Sequence, residues 1–86
     1  VQAVVSRGGR PDLAEPFLPQ VRAPTLLIVG ELDHPVVGMN RRAYEQLGGD
    51  DKELRLVPGA THLFEEPGAL EEVTRLARQW FLDHLG

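Results

Sequence analysis

The uncharged run Thr25–Val29 constrains the fold of this chain more than any other stretch of its sequence. The run does not alternate between apolar and polar residues, so a strand formed from it should be covered on both faces. Strands of this kind are typical of parallel sheets that lie between two layers of helices. Gly30 follows the run and is expected to end the strand, and the sequence therefore predicts an α/β fold.

Two further stretches have the character of strands. Residues Ala3 to Ser6 resemble the end of a buried strand that stops at the following glycine pair, and Glu53 to Val57 alternate like a third strand. Between the first two strands, prolines break residues 11–20 into short helical turns that we expect to cross over the sheet. The predicted order is therefore strand, broken helix and central strand, followed by two longer helical segments with the third strand between them.

Helical periodicity marks those two segments. The first follows Pro35, has one apolar stripe, and is expected to end at Gly48–Gly49 in the usual C-terminal manner. The second is predicted to begin near Pro67, because proline suits the first helical position. We expect Trp80 and Phe81 of this last helix to be core residues rather than a ligand platform. The two stripes are Val36, Met39, Ala43 and Leu47, and Leu70, Val73, Leu76, Ala77, Trp80, Phe81 and Leu85.

The order of these elements predicts three parallel strands joined by right-handed crossover helices. We assign residues 1–86 to a single partial domain, because a chain of 86 residues buries only a modest core and this one begins inside an apolar run without a methionine. A net charge of −4 argues against a nucleic-acid partner, and no apolar run approaches the roughly 20 residues of a membrane span. We expect a soluble, cytoplasmic protein that needs no cofactor.

Asp33 and His62 are the candidate catalytic residues. Each follows a predicted strand through a short loop that contains glycine, and about one strand-helix-strand unit separates them. Because parallel strands end at a common edge, where open α/β folds carry out their chemistry, we expect the two side chains to meet. A carboxylate that orients an imidazole and stabilises its protonated form is the arrangement that a general base requires. The alternative is that Asp33 merely caps the next helix while His62 bonds to backbone groups.

The segments Ala23–Asp33 and Val57–His62, followed by Trp80–Phe81, resemble the C-terminal third of an α/β-hydrolase, in the dienelactone-hydrolase-like branch. This resemblance implies that Asp33 is the acid and His62 the base of a nucleophile-His-Asp triad that cleaves an ester, lactone or similar acyl bond. The order of acid before histidine agrees with that fold. The resemblance also implies a small-molecule substrate and a missing N-terminal part of the same fold as partners.

No Gly-x-Ser-x-Gly elbow occurs in the sequence, and the only serine, Ser6, lacks the glycine that such an elbow needs two residues earlier. We therefore expect these residues to be inactive alone, with a Ser or Cys nucleophile elsewhere. The bare sheet edge that this leaves should favour dimerisation, swapping or aggregation, and a homo-oligomer through that edge is an expected outcome.

Three other interpretations remain open at this stage. The chain could be a non-catalytic α/β binding or interaction module, a degenerate hydrolase without a nucleophile. His62 with Glu65 and Glu66 could bind a metal, although His34 and His84 show no matching spacing. A Mg²⁺-dependent phosphoryl site at Asp33 would need a second carboxylate near the same strand end.

Overall fold

The computed structural model describes residues 3–8 and 22–85. They form strand β1 (Val4–Arg7), strand β2 (Thr25–Gly30), helix α1 (His34–Gln46), strand β3 (Lys52–Val57) and helix α2 (Ala69–Leu85). The strands form a parallel sheet in the order β1-β2-β3. The predicted α/β class with three parallel strands is therefore confirmed, while the broken helix predicted over residues 11–20 lies outside the described residues.

Strand β2 is central and fully buried, as its uncharged sequence predicts. Leu26 and Ile28 point into one core and Leu27 into another, on opposite faces of the sheet. Helix α1 covers one face, where Ala43 and Leu47 pack against Leu27. Helix α2 covers the other face with Val73, Leu76 and Trp80, together with Phe64 and Ala60 from the loop after β3. Alternating side chains of β2 therefore pack against a helix on each face of the sheet.

The C-terminus of α1 differs from the prediction. The helix ends at Gln46, and Leu47 at the cap has an extended backbone, so the expected glycine cap at Gly48–Gly49 was wrong. The ammonium group of Lys52 instead donates to the carbonyls of Tyr44 and Leu47, at 2.9 and 3.3 Å, and lies over the Tyr44 ring. A cation at a helix C-terminus satisfies the last carbonyls and complements the helix dipole. This cap comes from β3, so local sequence could not show it.

Helix α2 also departs from the prediction at two points. It begins at Ala69 rather than near Pro67, because Gly68 has a φ of 83° and cannot continue a right-handed helix. Trp80 is buried, as predicted, and its indole N–H donates to the Pro24 carbonyl at 3.3 Å. Phe81 is 37% exposed, so its prediction as a core residue was wrong. Leu70 and Leu85 are exposed as well, so the buried stripe is narrower than the apolar one.

No helix within residues 3–8 and 22–85 is both long and apolar enough to cross a membrane.

Candidate active site

Asp33 and His62 lie in contact at the carboxyl edge of the sheet. Asp33 follows β2, His62 lies in the loop after β3, and the His62 Nδ1 is 2.7 Å from the Asp33 Oδ2. The Asp33 side chain is 13% exposed and the His62 side chain 53%. A carboxylate only accepts hydrogen bonds, so the neutral imidazole carries its proton on Nδ1 and leaves the Nε2 lone pair available. The arrangement is that of an oriented general base with an accessible nitrogen.

The Asp33 side chain does not cap helix α1, in contrast to the capping alternative. Asp33 occupies the N-cap of α1, yet its carboxylate makes no capping hydrogen bond to that helix. Its backbone carbonyl accepts from the Val37 amide, as an N-cap carbonyl does, while the side chain turns to His62. The residue most suited to stabilise the helix start is therefore committed to the imidazole.

Backbone hydrogen bonds hold the two loops together. Strands β2 and β3 are paired as far as Gly30 and Val57, and the Glu31 amide then donates to the Val57 carbonyl at 3.0 Å. The Leu32 amide donates to the Ala60 carbonyl, also at 3.0 Å. Asp33 and His62 thus meet because the parallel ladder continues into both loops, which fixes one loop relative to the other.

Gly30 allows the His62 loop to cross directly over the end of β2. A Cβ at this position would lie 2.5 Å from the carbonyl oxygens of both Ala60 and Thr61. Real Cβ atoms are not found at such distances from backbone atoms. The requirement at Gly30 is therefore close backbone approach, in addition to the strand termination that the sequence predicted.

The loop that carries His62 is held at several points. Gly59 has a φ of 71° and Phe64 a φ of 55°, and the Phe64 side chain is buried in the core. The Thr61 amide and hydroxyl donate to Oε1 and Oε2 of Glu66, at 3.0 and 2.7 Å. The Thr61 hydroxyl and amide hold the pKa of Glu66 below its usual value. The loop is thus ordered by its own side chains as well as by the sheet.

An open cavity of about 300 Å³ lies beside the imidazole. Gly8, which follows β1, lies against His62: a Cβ at Gly8 would be 3.3 Å from the His62 carbonyl oxygen and 3.6 Å from the ring atoms Cε1 and Nδ1. Arg7, Leu63 and Leu70 line the same cavity. The end of β1 therefore belongs to the site, because it forms the wall opposite the His62 loop.

The hydroxyl groups of Ser6, Thr25 and Thr61 are not placed as nucleophiles in this geometry. Ser6 lies within β1, where it pairs with Leu27, and not at a strand-to-helix elbow. The Thr61 hydroxyl is engaged by Glu66, and the Thr25 hydroxyl donates to the Ala23 carbonyl. Among the residues that the structure describes, no group of three or more His, Asp or Glu side chains could hold a metal ion. The Glu66 carboxylate accepts hydrogen bonds from Thr61, a structural role that the sequence did not predict.

The chain is similar to known proteins in both sequence and structure. No protein-family model matches the chain. The crystal structure of a dienelactone hydrolase from Anabaena variabilis is similar with a TM-score of 0.94 and 62% identity, over 98% of this chain and 38% of that one. Two strains of Mycobacterium tuberculosis have a protein, named as a candidate phosphoribosyl transferase, that is 61% identical over 85 residues, 99% of this chain. A nonribosomal peptide synthetase of Emericella nidulans is 38% identical over 65 residues, 76% of this chain.

The chain spans only 19% of the length of the mycobacterial proteins and 2% of the synthetase. Most of the sequence to which those names refer therefore lies outside the match. The dienelactone hydrolase is matched over 38% of its length, with closely similar coordinates. The predicted resemblance to the C-terminal portion of an α/β-hydrolase, in the dienelactone-hydrolase-like branch, is confirmed.

Proposed function

Because the chain has the α/β-hydrolase fold and matches a segment of a dienelactone hydrolase, we propose that it supplies the acid and the base of a nucleophile-His-Asp triad. The reaction is hydrolysis of an ester, lactone or similar acyl bond in a small molecule. Asp33 is the acid and His62 the base. The observation that carries the proposal is the 2.7 Å contact between them, made at the expense of a helix cap.

In this mechanism the Nε2 of His62 takes the proton from a Ser or Cys nucleophile as that group attacks the acyl carbon. Asp33 keeps the Nδ1 proton in place and stabilises the imidazolium that forms. The proton then passes from Nε2 to the leaving oxygen as the acyl bond breaks. A water molecule, deprotonated by the same nitrogen, hydrolyses the acyl-enzyme and restores the nucleophile. No cofactor takes part.

The nucleophile and the oxyanion-hole donors come, in this proposal, from an N-terminal part of the same fold. The outer edge of β1 and the exposed Val4 are the surfaces on which neighbouring strands would pair. The 86 residues should therefore be inactive alone, and without those strands they should associate through this edge. We also propose a cytoplasmic location, to be tested by fractionation of cells that express the gene.

The test is covalent labelling with a fluorophosphonate followed by mass measurement, using the protein as its gene encodes it. Labelling together with hydrolysis of an activated ester is expected, and both should be lost in His62→Ala. His34→Ala is the matched control, because His34 is an exposed imidazole next to Asp33 on α1 and should leave the activity intact. Unchanged ester hydrolysis in His62→Ala would refute the assignment.

The second candidate is a non-catalytic binding or interaction module. It is favoured by one observation, the absence of a Gly-x-Ser-x-Gly elbow from the sequence. The same labelling experiment separates the two, because a degenerate hydrolase takes up no fluorophosphonate. Modification of Ser6 itself would contradict both candidates, since neither gives that strand residue a catalytic role.

A further inference from the structure

We propose that Glu66 is a positioning residue for His62, acting through Thr61 to hold the imidazole against Asp33. This inference rests on the proposed function, because a fixed imidazole matters only where His62 takes protons. It adds to the triad a second carboxylate, one that touches neither substrate nor histidine. Thr61, the residue immediately before His62, connects the two through its polar atoms.

Every polar atom of Thr61 makes a hydrogen bond within the part of the chain that the structure describes. Its amide and hydroxyl donate to the two carboxylate oxygens of Glu66, and its carbonyl accepts from the Phe64 amide at 3.1 Å. The same carbonyl lies against Gly30, where no side chain could fit. Thr61 is thus fixed by the sheet at Gly30, by the core through Phe64, and by the segment before α2 through Glu66.

His62 depends on this fixation because its side chain is about half exposed, although one side of the ring lies against Gly8. Its side chain is 53% exposed, and its described polar contact is the one with Asp33. The loop residues on either side, Thr61 and Leu63, are also exposed. Burial therefore contributes little to the position of the imidazole, and the backbone at Thr61 has to set it. A displacement of about 1 Å at a catalytic group can cost roughly 10²-fold in rate.

Glu66 is well placed for this task. Its carboxylate accepts hydrogen bonds from Thr61 and so closes the loop that contains Phe64, whose φ is positive. Its backbone carbonyl accepts from the Ala69 amide at 3.0 Å. The residue therefore joins the catalytic loop to the first turn of α2, which is anchored in the core. Glu65, its neighbour in sequence, is exposed and has no described hydrogen bond. Of the two adjacent glutamate carboxylates, the one that accepts hydrogen bonds from Thr61 is therefore that of Glu66.

The experiment compares Glu66→Ala, Glu66→Gln and the matched control Glu65→Ala in the protein as its gene encodes it. Glu66→Ala is expected to lower kcat roughly ten- to a hundredfold with little change in KM. Glu66→Gln should restore most of the rate, because its amide can still accept from the Thr61 amide. Glu65→Ala should behave as the unmodified protein. Unchanged kcat in Glu66→Ala, or an equal loss in Glu65→Ala, overturns the proposal.

A second readout does not depend on turnover. The Nδ1 proton of His62, observed by NMR in protein with labelled histidine, should exchange faster with water in Glu66→Ala and be preserved in Glu65→Ala. If His62→Ala leaves ester hydrolysis intact, the proposed function fails, while this resonance still decides whether Glu66 positions the imidazole. An unaltered Nδ1 signal in folded Glu66→Ala contradicts the positioning role whatever the activity. If Glu66→Ala does not fold, Thr61→Val makes the comparison, because it removes the hydroxyl that donates to Glu66.

Discussion

The Nδ1 of His62 lies 2.7 Å from the Oδ2 of Asp33, and this contact occupies the carboxylate at the N-cap of α1. An N-cap aspartate typically stabilises its helix by about 1 kcal/mol. Here the side chain contributes no such bond, and α1 carries no acidic residue in its first turn. Local helix stability has thus been given up for an interaction between two loops, which is the pattern expected of a functional site.

Asp33→Asn should separate the chemical role of the carboxylate from any structural one. The amide can present an N–H toward Nδ1, which favours the wrong imidazole tautomer, and kcat should fall by about 10⁴-fold. Helix content should be preserved, because the helix does not use the side chain. Steady-state kinetics and circular dichroism measure the two effects.

Asp50→Asn is the control for this substitution. Asp50 is exposed in the loop before β3, at the opposite edge of the sheet. Its rate should equal that of the unmodified protein. A comparable loss of kcat in both variants would show that the net charge of the protein, and not the contact with His62, governs activity.

Gly30→Ala should destabilise the fold and displace the His62 loop together. Its Cβ would meet two backbone carbonyls at 2.5 Å, and neither can move without shifting the loop. Overpacking of this kind costs about 1 to 3 kcal/mol of unfolding free energy. Denaturant titration measures this loss, and the accompanying loss of kcat reports the loop displacement.

Gly38→Ala is the matched substitution at a position with space. Gly38 lies inside α1, and a Cβ there has no atom within 4 Å. Alanine should raise the free energy of unfolding by about 0.5 to 1 kcal/mol, since it lowers the entropy lost on helix formation. Equal destabilisation by both alanines would contradict the steric explanation at Gly30.

Trp80→Ala should be the more costly of two substitutions in α2. The indole is 9% exposed and packs in the core between helix and sheet, so its removal should cost about 3 to 5 kcal/mol. Leu82, two residues later, is 62% exposed, and Leu82→Ala should change stability by less than about 0.5 kcal/mol. Thermal melting of both variants tests this difference. A large loss in Leu82→Ala would mean that another part of the protein covers that side of α2.

The sequence predicted what depends on local pattern and strand order. The uncharged run of β2 indicated a parallel sheet, and that sheet brought Asp33 to His62. The sequence did not predict contacts between elements that are distant along the chain. The Lys52 cap of α1 and the exposure of Phe81 both depend on how the helices sit on the sheet. Apolar periodicity describes which side of a helix can be buried, and packing decides how much of it is.

The hydrogen bonds between Thr61 and Glu66, which hold the His62 loop, should weaken in acid. Hydrogen bonds from Thr61 lower the pKa of Glu66 below its ordinary value of 4.5. A carboxyl group whose pKa is lower in the folded state stabilises the fold above its unfolded pKa, and that contribution is lost as the pH falls through the lowered folded value. The Thr61 amide resonance should therefore titrate below pH 4.5. This titration should disappear in Glu66→Gln and persist in Glu65→Gln, because only Glu66 accepts from Thr61. A Thr61 titration that survives in Glu66→Gln would assign the acid sensitivity of the loop to another group.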